Sequence, residues 1–83
     1  MPDSASTTEL DRERQDLLKA DKDIREGIQR VDHQQDIIGR LAEHGHDIGQ
    51  ALVLLENLQD MLEAWRRHRE LIIQRIVILE NAH

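Results

Sequence analysis

The chain has 83 residues, a net charge of −6 and no cysteine. This length allows one small domain, and the absence of thiols excludes disulfides and thiolate metal sites as its support. Neither half is basic, since residues 1–43 carry 11 acids and 7 bases and residues 44–83 carry 6 acids and 4 bases. Because phosphate neutralisation dominates binding to duplex nucleic acid, this balance argues against such a partner.

The amino-terminal residues 1–7 are small and polar, which predicts a disordered tail. They contain neither the basic region nor the apolar region of a signal peptide. No apolar run approaches the roughly 20 residues that span a bilayer. We therefore expect a cytoplasmic protein that binds neither nucleic acid nor membrane.

A first helix is predicted from about residue 8 to residue 43. Ser6 with Glu9 fits a capping box, and Thr8 is an alternative cap. Apolar residues recur at seven-residue intervals, the spacing that keeps one face against a partner helix: Leu10, Leu17, Ile24, Val31 and Ile38. A second row is thinner and holds Ala20, Gly27, Gln34 and Leu41. Gly27 marks either a close approach of two helices or a tolerated surface glycine.

The chain then carries a stop signal and a restart signal. Gly45 is placed to end the first helix, because glycine takes the left-handed conformation without a Cβ clash. Asp47 is predicted as the N-cap of the next helix, and Gln50 completes a capping box with it. The bend then covers residues 44–47 and the second helix runs from about 48 to 81. Two arms of nearly equal length predict an all-α, antiparallel two-helix hairpin that resembles a coiled coil.

The second arm is richer in apolar residues. One heptad row contains Ile48, Leu55, Leu62 and Ile76 and is interrupted by Arg69. The other row contains Ala51, Leu58, Trp65, Ile72 and Leu79. Residues 71–79 are apolar around most of the helix, and a helix apolar all round is normally buried.

One partner helix cannot cover this segment, so we expect a homodimer in which two hairpins form a four-helix bundle. The competing interpretation is that the first arm covers most of the segment and the rest stays exposed. The predicted interface comprises Leu58, Leu62, Trp65, Arg69, Ile72, Ile73, Ile76 and Leu79. Arg69 is hypothesised to pair with an acid across the interface and to fix its register.

A set of positions spread over both arms and the bend resembles a known group of proteins. These positions are Ile24, Gly27, Val31, Gln34, Ile37, Ile38, Leu41, Gly45, His46, Asp47, Ala51, Leu54, Leu55, Leu58, Arg69 and Ile72. Over roughly residues 23–73 the pattern resembles short uncharacterised helical-hairpin proteins of alphaproteobacteria, especially rhizobia. The chain departs from that pattern at Ile48, where a threonine is common, and at Trp65, where a histidine is frequent. The resemblance implies a coiled-coil hairpin in a bacterial cytoplasm and implies no activity.

Two histidines at the bend are candidates for a metal site. His44 and His46 flank Gly45, and with Glu43 and Asp47 they could begin a Zn²⁺ or Ni²⁺ site. The competing interpretation is a plain helix–turn–helix bend, in which a protonated His44 is favoured at the negative end of the first helix. We favour the bend and assign no metal and no cofactor.

The basic segment Trp65–Arg69 supports two further alternatives. His68 lies among arginines and could serve a phosphoryl relay, whereas His33 beside Asp32 has the wrong environment. Trp65 with the arginines could stack bases of a nucleic acid. A solvated polar face with Trp65 in an interface is the interpretation that we favour.

No sequence motif predicts catalysis. The chain contains no Gly-rich phosphate loop, no supported Ser/His/Asp set and no Glu-x-x-His repeat for a di-metal bundle. We therefore expect a non-enzymatic structural and protein–protein interaction module that self-associates. The alternatives are a small metal-binding or phosphoryl-relay protein using His44 and His46 or His68, and a nucleic-acid accessory using Trp65–Arg69.

Overall fold

Two long helices form the fold of this protein. The computed structural model describes residues 4–82, with side chains from Thr8 onward. Helix α1 spans Ser4–Glu43 and helix α2 spans Gly49–Glu80, and no strand occurs in this range. The helices pack against each other as a rod of 67 × 14 × 13 Å. The predicted all-α, two-helix hairpin is confirmed at this level.

Helix α1 begins earlier than the sequence predicted. It starts at Ser4 instead of about residue 8, so Ser6 and Thr8 lie inside the helix and not at its start. Serine and threonine cost only a few tenths of a kcal/mol in a helix, and no glycine or proline interrupts this stretch. Of the predicted tail, residues 1–3 lie outside the described residues.

The two heptad rows of each helix form the contact between α1 and α2, which we call the seam. Every heptad position named above is buried or half-buried. The most buried large side chain is Ile72, which is 1% exposed, and Ala20, Val31 and Leu62 are also buried. Seven-residue spacing keeps these side chains on one face over the length of the rod. The most regular apolar face of each helix therefore packs against the other helix of the same chain.

The two helix-interior glycines of α1 differ in their surroundings. Gly27 is buried, and a Cβ atom built there would lie 2.9 Å from Cζ3 of Trp65 and 3.2 Å from Cδ1 of Leu62. A Cβ atom at Gly39 would meet nothing within 4 Å. Gly27 therefore marks a close approach of the helices, and Gly39 is a surface glycine.

The bend closes α1 with a Schellman motif. The N–H of His46 donates to the carbonyl of Leu41 at 2.9 Å, and the N–H of Gly45 donates to the carbonyl of Ala42 at 3.1 Å. Gly45 has a φ of 71°, the left-handed conformation expected of it. The unpaired carbonyls of the last turn are thereby satisfied.

The start of α2 differs from the predicted capping box. The N-cap is Ile48, which makes no side-chain capping bond, and the helix begins at Gly49. Asp47 lies one residue too early to cap the helix, and its Oδ1 accepts from the Gly49 N–H at 2.9 Å. Gln50 makes no hydrogen bond to Asp47 among the described residues. The side chain of Asp47 therefore forms a local turn that leads into the helix.

Candidate interaction surface

The residues predicted as a dimer interface lie in the seam within one chain or beside it. Leu62 and Ile72 are buried against α1, and Leu58, Trp65, Ile73, Ile76 and Leu79 are half-buried. One helix of the same chain thus covers much of the surface that was assigned to a second copy. The heptad pattern identified the apolar face of α2 but could not identify the helix that packs on it.

Arg69 interrupts the apolar seam and forms an ion pair with an acidic residue of the same chain. Its Nε donates to Oδ1 of Asp21 at 2.6 Å, with side-chain exposures of 37% and 35%. Asp21 and Arg69 each lie twenty-four residues from Gly45, so counting outward from the bend would have identified this partner. The structure places the Arg69 pair between α1 and α2 of one chain, where it can fix the register of the hairpin.

Two other polar side chains occupy the seam. Gln34 is 6% exposed, and its Nε2 donates to the carbonyl oxygen of Ala51 at 2.9 Å. Glu13 lies near the termini, with Oε1 at 3.7 Å from Nη1 of Arg75 and with a buried Oε2 that has no hydrogen-bond partner. These contacts join α1 to α2 on either side of the Arg69–Asp21 pair, one toward the termini and one toward the bend.

One flank of α2 remains apolar and exposed, although α2 packs on α1. Five residues on this flank each directly precede a seam residue, and we call them the α2 strip: Leu54, Met61, Ala64, Leu71 and Ile78. Because consecutive helix residues are about 100° apart, the strip runs alongside the seam. Its four large side chains are 48%, 47%, 51% and 67% exposed, in chain order. The sequence analysis included Leu71 and Ile78 in the apolar segment 71–79 but placed no strip residue in the predicted interface, although the seven-residue spacing of the strip indicates a second face.

The part of α1 that borders the α2 strip is charged. Near the termini, an open groove is lined by Ile78 and Arg75 of α2 and by charged residues of α1: Glu9, Arg12, Glu13 and Asp16. Further along, His68 lies in a second groove with Asp16, Lys19, Ala20 and Asp23 of α1. The apolar strip therefore belongs to α2 alone and has a polar border on its α1 side.

The opposite flank of α2 carries fewer exposed apolar residues. Leu52 and Val77 each directly follow a seam residue and are 45% and 49% exposed. Between them lie Gln59 and Arg66, which line a groove together with apolar and polar residues of α1: Ile28, Val31, Asp32 and Gln35. The flank that carries the α2 strip also contains polar positions, because its two seven-residue rows, which we call the strip rows, are 54, 61, 68, 75 and 57, 64, 71, 78. It differs from the opposite flank in carrying four large exposed apolar side chains instead of two.

The bend histidines lie side by side on the surface. The ring centroids of His44 and His46 are 6.4 Å apart, with an angle of 24° between the ring planes. Nδ1 of His44 is 2.8 Å from the carbonyl oxygen of Arg40, so this nitrogen is occupied at the end of α1. The described residues contain no group of three or more His, Asp or Glu side chains that could hold a metal ion.

The basic segment is divided between the seam and the solvent. The indole ring of Trp65 packs on Gly27 and is half-buried, and Arg69 is bound to Asp21. Arg66 and Arg67 are exposed and line one groove with Arg69, and the acids Asp21, Glu63 and Glu70 also line it, whereas Trp65 does not. The structure therefore does not gather the aromatic ring and the arginines of this segment on one open face.

Comparison with known proteins gives no relative for this chain. No family model matches it, and no curated protein and no solved structure shows significant similarity to it. The resemblance to alphaproteobacterial helical-hairpin proteins therefore stays a prediction. Within residues 4–82, neither helix combines the length and the apolar content that a span of the bilayer requires.

Proposed function

We propose that this protein is a non-enzymatic structural and protein–protein interaction module of the cytoplasm, and that it self-associates as a homodimer. The observation that carries the proposal is the α2 strip, which stays apolar and about half exposed after α2 has packed on α1. Two hairpins joined through such surfaces make a four-helix bundle. Kinship with the alphaproteobacterial hairpin proteins is part of this proposal and rests on the residues around Gly45.

The free energy of apolar burial supports association. Each Å² of apolar surface removed from water contributes about 25 cal/mol, and exposed apolar patches of this kind mark interaction sites. The hairpin is also a thin rod, 14 × 13 Å across, with little interior of its own. A second copy would add the covered apolar area that a domain of 83 residues otherwise lacks.

The charged groups support an interaction role more than a catalytic one. Arg69 pairs with Asp21, and Arg75 lies close to Glu13. Nη2 of Arg14 lies 3.5 Å from Oε2 of Glu80. These ion pairs join α1 to α2 and use the side chains as structural contacts.

Sedimentation equilibrium of the full chain over a wide concentration range tests the proposal. We expect a dimer with twice the chain mass of 9.7 kDa, which dissociates on dilution. A fully helical monomer at every concentration, in the absence of other proteins, would contradict it.

A further inference from the structure

We propose that the second copy binds with its α2 antiparallel to the first α2 and with the two α2 strips in contact. The two-fold axis that relates the copies crosses the strip contact at the level of Arg66 along the helix. The inference rests on the proposed self-association and specifies the surface and the orientation. Strip residues 54–78 extend over about 36 Å at 1.5 Å per residue. Because the two-fold axis of an antiparallel pair is perpendicular to the helices, the two α1 helices then lie on the same side of the α2 pair, outside the strip contact.

The spacing of the α2 strip fits such an axis. Leu54 and Ile78 each lie twelve residues from Arg66, and Met61 and Leu71 each lie five residues from it. In an antiparallel pair, residues equally far from the axis meet across the interface. Leucine of one copy then faces isoleucine of the other, and methionine faces leucine, along the whole contact. An isologous interface of this kind is the ordinary one for a homodimer.

The charge distribution along α2 favours the same orientation. Residues 49–64 contain three acids and no lysine or arginine, a net charge of −3. Residues 65–80 contain four arginines and two acids, a net charge of +2. Of these charged residues, Asp60 directly precedes the strip residue Met61, and Arg67 and Arg75 lie on the same side of α2. An antiparallel pair places Asp60 of one α2 beside the segment of the other that carries Arg67 and Arg75, which favours this orientation.

A parallel pair would have the opposite effect. Each residue of the two strip rows would face the same residue of the second copy, so Arg75 would lie opposite Arg75 and His68 opposite His68. The two basic halves would lie side by side, as would the two acidic halves. In the antiparallel pair, Arg75 faces Asn57 and His68 faces Ala64, because the members of each pair are equally far from Arg66. Like charges at close range are destabilising, so the parallel form is disfavoured.

The charged border on α1 restricts the contact to α2. The α1 residues beside the strip include Glu9, Arg12, Asp16, Lys19 and Asp23. These groups would lose their hydration if α1 entered the centre of the interface, and burial of unpaired charges is costly. They form instead the polar rim that surrounds the apolar centre of an ordinary interface.

Disulfide trapping tests the orientation, because the chain has no cysteine of its own. The two variants are Asn57→Cys and Arg75→Cys, which lie in the strip rows, each nine residues from Arg66, and which remove no large apolar side chain. Each variant is oxidised alone and in an equal mixture. We expect disulfide dimers in the mixture only, because opposed thiols alone come within bonding distance. Cross-linking of each variant with itself overturns the antiparallel orientation.

A matched pair of substitutions tests the surface. Leu54 and Leu52 belong to opposite flanks of α2 and are 48% and 45% exposed. We expect Leu54→Glu to raise the dimer Kd at least about tenfold, since it places a carboxylate in the contact. Leu52→Glu should leave the dimer Kd unchanged, and helical content by circular dichroism should match the parent in both variants. Loss of the dimer in Leu52→Glu alone overturns the assignment of the strip.

The outcomes separate this inference from the proposed function. If the parent chain is a monomer, the proposed self-association fails and this inference fails with it. If the parent chain is a dimer but the mixed disulfide does not form, or Leu54→Glu dimerises with the Kd of the parent, self-association stands and the antiparallel strip is wrong.

Discussion

Gly27 shows how one missing side chain shapes the centre of the hairpin. The indole of Trp65 fills the space that a Cβ atom would occupy, with Leu62 close beside it. Glycine in a helix costs about 1 kcal/mol relative to alanine, so its presence needs a compensating contact. The close packing of an aromatic ring against the backbone of α1 supplies that contact.

The two glycines of α1 give a prediction with an internal control. Alanine gains about 1 kcal/mol of helix propensity at either position. At Gly27 the new methyl group also forces Trp65 to move, and overpacking of this kind costs about 1–3 kcal/mol. We therefore expect Gly27→Ala to be less stable to urea than Gly39→Ala by about that amount. Far-UV circular dichroism measures both, and equal stabilities would contradict the close approach.

Arg69 and Asp21 give a second prediction at the scale of single residues. Both side chains are about a third exposed, so solvent screens the pair and it contributes little: about 0.2–1 kcal/mol. A double-mutant cycle with Arg69→Met and Asp21→Asn should return a coupling energy in this range, and high salt should reduce it. A coupling energy of zero at low salt would show that the pair does not hold the register.

At the scale of elements, the bend shows that stopping α1 and starting α2 depend on different groups. The stop is made by the backbone of Gly45 in the left-handed conformation and by two reversed hydrogen bonds. The start lacks a side-chain cap at Ile48 and is led by the carboxylate of Asp47. The sequence predicted the first correctly because a left-handed residue almost requires glycine. It misplaced the second because Asp favours both N-caps and turns.

The start of α2 can be tested by two substitutions. Asp47→Ala removes the hydrogen bond to the Gly49 N–H, and we expect a loss of about 0.5–1 kcal/mol in the free energy of unfolding. Gln50→Ala should change that free energy by less than about 0.5 kcal/mol, because Gln50 makes no capping bond. Urea titration of the two variants distinguishes the observed turn from the predicted capping box. A larger loss in Gln50→Ala would favour the capping box.

Much of the helix pairing was predictable because the heptad spacing constrains a face and not merely a composition. The rows through Val31 and Leu62 lie in the seam as that spacing requires. The spacing does not indicate whether a helix of the same chain or of a second chain covers a face. For this reason the sequence analysis assigned seam residues such as Ile72 to a contact with a second copy. The α2 strip is missing from the predicted interface for a related reason, since the sequence analysis treats residues 71–79 as apolar all round instead of as two adjacent faces.

At the scale of the whole molecule, the rod has a surface that its own two helices do not cover. Ile72 is 1% exposed, whereas its neighbours Leu71 and Ile78 are 51% and 67% exposed. The carboxyl-terminal segment is therefore divided between a covered face and an open one. For a chain this small, covering the open face is a substantial part of the total stability.

Dimerisation should therefore be visible in the thermal stability of the protein. A ligand that binds only the folded chain stabilises it by an amount that rises with the logarithm of the ligand concentration, and here the ligand is a second copy. We expect Tm to rise with protein concentration for the parent and for Leu52→Glu. Leu54→Glu, with its higher dimer Kd, should melt at a lower Tm than the parent at the same concentration. A constant Tm for the parent over a hundredfold range would argue against a dimer.

The packing of Trp65 on Gly27 has a practical consequence. Trp65 is the sole tryptophan, and the chain has no tyrosine or phenylalanine. Its emission spectrum therefore reports one place only, the middle of the rod, where the ring rests on the backbone of α1. Fraying at the termini leaves that emission unchanged, whereas separation of the two helices at their centre wets the ring and shifts the emission to the red. The protein carries its own optical probe for opening of the hairpin.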